Sequence, residues 1–97
     1  MIVHRMTFYI KPGHLEEARE LVLAEIKRVN WHRPIRLYTS KMGRFNTLAT
    51  ENDFANLAEY EQYWNDWFAS PAALTFLEKW DTLVEPGGGQ ELWDLAT

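Results

Sequence analysis

Residues 2–29 read IVHRMTFYIKPGHLEEARELVLAEIKRV, and a change of period inside this stretch decides the fold class. Residues 2–10 are rich in β-branched and aromatic side chains, which suits a strand. Ile2, His4, Met6, Phe8 and Ile10 share one face of it, and Val3, Arg5, Thr7 and Tyr9 share the other. Apolar groups on both faces predict that both are covered. Lys11-Pro12-Gly13 ends the strand, because Pro removes a ladder donor and Gly permits a turn. From residue 14 the period becomes helical. Leu15, Ala18, Leu21, Val22, Ile26 and Val29 form one apolar stripe over 14–29. Glu16 and Glu17 at its start and Lys27 and Arg28 at its end complement the helix dipole. His14 begins or caps this helix.

Working outward, residues 30–34 connect to a second strand over 35–42 (IRLYTSKM). Gly43-Arg44 makes a short turn into a third strand over 45–53, predicting a hairpin. Asn56 with Glu59 three residues on is a variant capping box. The helix it opens carries Leu57, Tyr60, Trp64, Trp67 and Phe68 as its apolar stripe. Ser70-Pro71 restarts a helix, with Ser as N-cap and Pro at the first helical position. Leu74, Phe76, Leu77 and Trp80 are its candidates for burial. A Glu85-Pro86-Gly87-Gly88-Gly89 loop precedes a last strand over 90–95. The order β-α-β-β-α-β predicts an α+β, ferredoxin-like domain spanning 1–97, with four strands in one antiparallel sheet.

Composition narrows the function. The chain has 97 residues, a formal net charge of −4 and no cysteine. An acidic chain without a basic stripe is a poor partner for nucleic acid. Disulfides, thiolate catalysis and cysteine-ligated metal are excluded. Three scattered histidines make a weak case for a metal site, so no metal and no cofactor are expected. Gly87-Gly88-Gly89 precedes a strand, whereas phosphate-binding loops open helices. The apolar runs are far too short for a membrane span and a cytoplasmic protein is expected. Five Trp, five Phe and four Tyr are more aromatic surface than a small monomer hides easily. A ligand pocket or a subunit interface is the expected outlet.

The opening MIVHRMTFYIKPGHLEEARELV and the stretch FNTLATENDFANLAEYEQYW (residues 45–64) resemble the dimeric α/β-barrel superfamily. That superfamily includes NIPSNAP proteins, antibiotic-biosynthesis monooxygenases and stress-responsive Dabb proteins, and the second stretch is most similar to NIPSNAP-type chains. The resemblance implies a homodimer in which one sheet face packs on the chain's own helices and the other on the partner's sheet. It implies a pocket between sheet and helices, faced by His4, Met6, Phe8, Leu48, Thr50, Asn52 and Phe54. Arg5, Thr7 and Tyr9 would then face the dimer seam. Haem-degrading members use an Asn, a Trp and a His where this chain has Met6, Phe54 and Leu77, so haem chemistry is not expected. The aldol-cyclase type of Dabb protein has a first-strand His, matched by His4. Its His-Pro-Ala-His segment is matched only by Ser70-Pro71-Ala72-Ala73. Cofactor-free quinone-forming monooxygenases need mainly a shaped apolar pocket and a few polar groups.

His4 is the candidate catalytic residue. A histidine on a buried face can act as a general base near neutral pH, or can be a hydrogen-bonded core residue. Met6, Phe8, Phe54, Trp64, Trp67 and Trp80 are candidate ligand walls, with Phe68 and Phe76 extending the aromatic stripe and Tyr38 a candidate polar contact. The same aromatics also suit a plain core. Arg36 and Tyr38 lie opposite Leu37 on the second strand, as possible carboxylate and oxygen partners or as an interface pair. Trp31 and Trp93 read as interface or edge residues and His32 as a loop residue. Two functions remain: a small-molecule binder or enzyme (monooxygenase-like or cyclase-like) acting on an apolar ligand, or a non-catalytic homodimer with a filled core. A cavity between sheet and helices separates them.

Overall fold

The computed structural model describes residues 1–29 and 34–97. Trp31, His32 and Arg33 lie outside the described residues. Strand β1 (Ile2–Tyr9) leads to helix α1 (Leu15–Val29). Strands β2 (Ile35–Thr39) and β3 (Thr47–Phe54) follow, then α2 (Leu57–Ala69), α3 (Pro71–Trp80) and β4 (Gly89–Asp94). The four strands form one antiparallel sheet in the order β2-β3-β1-β4, and the fold is α+β and ferredoxin-like. The first strand in the chain is one of the two central strands, so β1 is hydrogen-bonded on both sides and its alternation sets the sheet's faces.

His4 stands opposite Asn52 and Leu92, Met6 opposite Thr50 and Gln90, and Phe8 opposite Leu48. Directly paired residues point to the same side. Ile35 and Leu37 join this face through their pairing with Asn52 and Thr50. Val3, Arg5, Thr7 and Tyr9 point the other way, with Asp53, Glu51, Ala49 and Trp93 as neighbours. The three helices cover the first face. Ile10, Ala18, Val22, Leu48, Trp80 and Leu83 form the buried cluster beneath them. Leu83 and Val84 had no place in the sequence reading. They enter the core because Val84 bridges Ile10 just beyond the end of β1, and Lys11 donates its backbone N–H to the Leu83 carbonyl at 2.8 Å.

Local chemistry explains most boundaries. The His14 carbonyl accepts the Ala18 amide at 2.9 Å, opening α1, and the His14 ring faces Glu17. Asn56 caps α2 by accepting the Glu59 amide at 2.9 Å, while the Glu59 carboxylate accepts the Ala55 amide at 2.8 Å. This is the capping box displaced by one residue at its second bond. Pro71 occupies the start of α3, but the Ser70 side chain makes no capping bond.

The hairpin departs from expectation. In place of a two-residue turn, residues 40–46 form a wide loop, and both strands are shorter at this end. Asn46 takes a left-handed conformation (φ 56°), and the Ser40 and Thr47 hydroxyls donate to loop carbonyls that a tight turn would have paired across the ladder. Leu74, a candidate for burial on α3, is 58% exposed, as is Phe68 on α2. The apolar stripes of both helices are wider than the sheet beneath them.

Gly88 is fixed by close approach. Its φ is +75°, and a Cβ there would overlap the Thr7 carbonyl oxygen. At Gly89 nothing lies within 4 Å of that position. Gly88→Ala is predicted to destabilise the fold by about 2 kcal/mol or more, while Gly89→Ala changes stability by less than about 1 kcal/mol. Urea unfolding of the two variants checks this, and equal midpoints would contradict it.

Candidate functional site

A cavity of about 190 Å³ lies between the sheet and all three helices. Its floor is Met6 and Phe8 from β1, Ile35 from β2, and Thr50 and Asn52 from β3. Val22, Glu25, Ile26 and Val29 of α1 form one wall. Tyr63, Trp64, Trp67 and Phe68 of α2 and Phe76, Leu77 and Trp80 of α3 form the rest. An apolar cavity of about 150 Å³ is large enough to bind benzene, so this one has room for a somewhat larger aromatic molecule.

Aromatic rings meeting edge to face hold the walls in place. His4 lies 5.1 Å from Tyr60 and 5.5 Å from Trp64, both nearly perpendicular. Trp64 meets Trp67 at 5.5 Å, Trp67 meets Phe76 at 6.0 Å, and Phe76 stacks on Trp80 at 5.5 Å. Trp80 returns to the sheet by meeting Phe8 at 5.1 Å. Each such pair contributes about 0.5–1.5 kcal/mol beyond its buried area. The chain of rings thus runs from β1 through α2 and α3 and back to β1, bracing the helices against the sheet.

The polar groups are few. Glu25 accepts from Trp67 Nε1 at 2.8 Å and from both Nε and a terminal nitrogen of Arg28 at 2.7 and 2.8 Å. The acid is therefore neutralised within its own wall. Burial, with the nearby Glu25 charge second, raises the Tyr63 hydroxyl above its ordinary range and keeps it protonated. Thr50 and Asn52 are 5% and 3% exposed on the floor.

His4 sits at the edge of this arrangement. It is 2% exposed, on the helix-facing side of β1 beneath Tyr60 and Trp64. Its Nε2 donates to Gln90 Oε1 at 3.0 Å, which leaves Nδ1 as an unprotonated lone pair without a partner. Burial lowers its pKa, opposed by the Gln90 bond. Three expectations for the ligand wall need correction. His4 lies behind the cavity wall, screened by Trp64. Phe54, 1% exposed, is packed under Tyr60 and Tyr63 at 5.5 and 5.4 Å and fills core at the end of β3. Tyr38 points to the opposite face of the sheet, because it pairs with Ala49 and alternates with Leu37. There its hydroxyl donates to Glu51 at 2.9 Å.

Of the expected walls, Met6, Phe8, Trp64, Trp67 and Trp80 do line the cavity. Phe68 and Phe76, also read as aromatic wall, line it too, and the sequence reading missed Glu25 and Tyr63. Glu25 and Tyr63 sit beside the apolar stripes of α1 and α2, and their polarity read as helix surface. Among the described residues no group of three His, Asp or Glu side chains is placed to hold a metal ion, and no helix is long and apolar enough to cross a membrane.

Because His4 is held neutral, folding opposes its protonation. The unfolded chain takes up a proton near pH 6.5 and the folded chain at lower pH. Between those values the unfolded state binds more protons, so this part of the stability is fully present above pH 6.5 and is lost as pH falls through the lowered value of the folded chain. His4→Gln is predicted to flatten the slope of unfolding free energy across that window, measured by urea titrations at several pH values. An unchanged slope would contradict the assignment.

No protein-family model and no curated protein sequence matches the chain. Solved structures do match. An uncharacterised NIPSNAP domain protein from Burkholderia xenovorans superposes with a TM-score of 0.88 at 16% identity, over 99% of this chain and 95% of that one. A NIPSNAP family protein of unknown function from Agrobacterium tumefaciens gives 0.83 at 21% identity, covering 96% and 86%. An antibiotic biosynthesis monooxygenase gives 0.78 at 11% identity, with both chains covered completely. The chain therefore has the fold shared by NIPSNAP proteins and antibiotic biosynthesis monooxygenases.

Proposed function

We propose that residues 1–97 form one ferredoxin-like unit that binds a small, largely apolar, planar molecule in the cavity between sheet and helices. The observation that carries this reading is the cavity itself. A chain of only 97 residues that needed its aromatic side chains for core alone would close such a space, since empty volume in a core costs stability in proportion to its size. The reading with a filled core and no ligand is correspondingly disfavoured. Phosphorylated ligands are disfavoured too, because the charged group among the described lining residues is the acid Glu25 and its cation partner Arg28 is already engaged.

Binding is tested by thermal shift against naphthalene-sized aromatics and sugar phosphates. Aromatics should raise Tm and sugar phosphates should not. Ile26→Trp, which places a large ring into the cavity, should abolish the shift while leaving the fold intact. Stabilisation by sugar phosphates alone would sink the proposal.

The chemistry we propose for this site, monooxygenase-like or cyclase-like and without a cofactor, assigns His4 as general base. In support, its Nδ1 is unprotonated and unpaired. Access requires Trp64 to move aside. Solvent deuterium exchange into the acidic carbon of 2-tetralone measures this directly. Catalysed exchange should vanish in His4→Gln with binding retained, and exchange that survives the substitution would return His4 to a structural role.

We further propose that the chain is a homodimer joined through the uncovered sheet face. Val3, Thr7, Tyr9 and the 58%-exposed Trp93 supply its apolar surface. Four of its charged residues are paired within it: Arg36 donates to Asp53 at 2.8 and 2.9 Å and to Glu51 at 3.3 Å, and Arg5 reaches Glu51 at 3.3 Å. The Asp53 bond, first of several, holds the Arg36 guanidinium well above its ordinary pKa. Pairing these charges within the face lowers the cost of burying it against a second copy. Light scattering should give twice the 11.5 kDa chain mass at micromolar concentration, and Trp93→Glu should shift it towards the monomer. A monomer mass for the unaltered protein would refute the dimer.

A further inference from the structure

Among the described residues, four buried side-chain atoms lack hydrogen-bond partners: His4 Nδ1, Thr50 Oγ1, Asn52 Oδ1 and Trp64 Nε1. They are not scattered. His4 is directly opposite Asn52, the Met6–Thr50 pair lies two residues along on the same face, and the Trp64 ring stands over His4. Thr50, Asn52 and Trp64 all contribute to the cavity lining. A buried polar atom left unpaired costs about 1–3 kcal/mol, and native proteins keep few of them. Four in one place mark a position prepared for a polar guest.

The valences say which guest. His4 Nδ1 accepts, because Nε2 carries the proton given to Gln90. Asn52 Oδ1 accepts only, Trp64 Nε1 donates only, and the Thr50 hydroxyl does either. A group that both donates and accepts satisfies this set. A carboxylate only accepts, and it would meet the Asn52 lone pair with no free cation among the described lining residues, since Arg28 is committed to Glu25. An ammonium would leave the Trp64 donor unpaired and would bury an uncompensated charge.

We propose that the sheet-side end of the cavity is a recognition site for a neutral hydroxyl group, formed by Thr50, Asn52 and Trp64, so that the ligand is a hydroxylated aromatic molecule. This rests on the cavity reading above and adds the ligand's polar end to it. All four atoms are sealed from solvent in the unliganded chain, so the hydroxyl enters with a rotamer change at Met6 or Trp64. Met6 shares the rung with Thr50, and an unbranched thioether chain moves most readily.

Calorimetry with naphthalene, 2-naphthol and 2-naphthoate tests this on the full chain, on Thr50→Val and on Asn52→Leu, with urea unfolding to verify that each variant folds. Both substitutions nearly keep shape: Thr50→Val removes the hydroxyl, and Asn52→Leu removes the amide, including its contact with the Tyr63 hydroxyl. The unaltered protein should bind 2-naphthol about tenfold more tightly than naphthalene, as two net hydrogen bonds allow, and 2-naphthoate most weakly. Each variant should bring 2-naphthol to within about threefold of naphthalene without weakening naphthalene itself. Naphthalene and 2-naphthol binding equally to the unaltered protein would overturn the hydroxyl site and leave the cavity reading standing. Tightest binding of 2-naphthoate would overturn it in favour of an anion site. Failure of all three to bind would overturn the cavity reading and this inference together.

Discussion

The pairing of β1 in the centre of the sheet is the constraint on which the rest depends. A strand's side chains alternate, so a slip of one residue would send His4, Met6, Phe8 and Ile10 to the uncovered face and bring Arg5, Thr7 and Tyr9 under the helices. Arg5 could not be paired there, and Ile10 and Phe8 would lose their places against Leu83 and Trp80. β1 is bonded to β3 and β4 at once, so both ladders would have to slip together. Burial of one face and charge pairing on the other therefore enforce the same register independently.

The helical layer, once docked on that face, does not close against it. Edge-to-face and offset-stacked contacts need ring centroids about 4.5–7 Å apart, and the sequence of such contacts from His4 through Trp64, Trp67, Phe76 and Trp80 to Phe8 holds α2 and α3 at a fixed height. The floor below is Met6, Thr50 and Asn52, shorter or more flexible than the rings above. Large rigid walls over a small floor leave a space, and the same residues that stabilise the helices create the cavity. The bond from Trp67 to Glu25 ties α2 to α1 across its far side.

The two faces of the sheet solve the problem of polar groups differently. On the uncovered side, Arg36, Tyr38, Glu51 and Asp53 satisfy one another through cross-strand bonds. On the covered side, Thr50, Asn52 and His4 are buried with bonding capacity to spare. Adjacent residues of β3 thus alternate between a complete network and an incomplete one. Stability accounts for the complete network. The incomplete one costs stability, which is the usual mark of a site shaped by something other than folding.

The sequence by itself determined the element order, the helix cap at Asn56, the helix start at Pro71, the faces of β1 and most of the aromatic wall. These follow from short-range rules: alternation, helical period, and the conformational limits of Pro and Gly. It did not determine the wide 40–46 loop, where side-chain bonds to loop carbonyls compete with the ladder, or the entry of Leu83 and Val84 into the core, which depends on a bridge to a residue more than seventy positions away. Nor could it place Glu25 and Tyr63 in the cavity or Tyr38 outside it. A polar residue at the edge of an apolar stripe reads as surface until a neighbouring helix covers it, and only the docking of α1, α2 and α3 on one sheet face decides which edges are covered. The cavity is likewise a tertiary property: side-chain volumes are written in the sequence, but whether they fill the space depends on the height at which ring-to-ring contacts hold the helices.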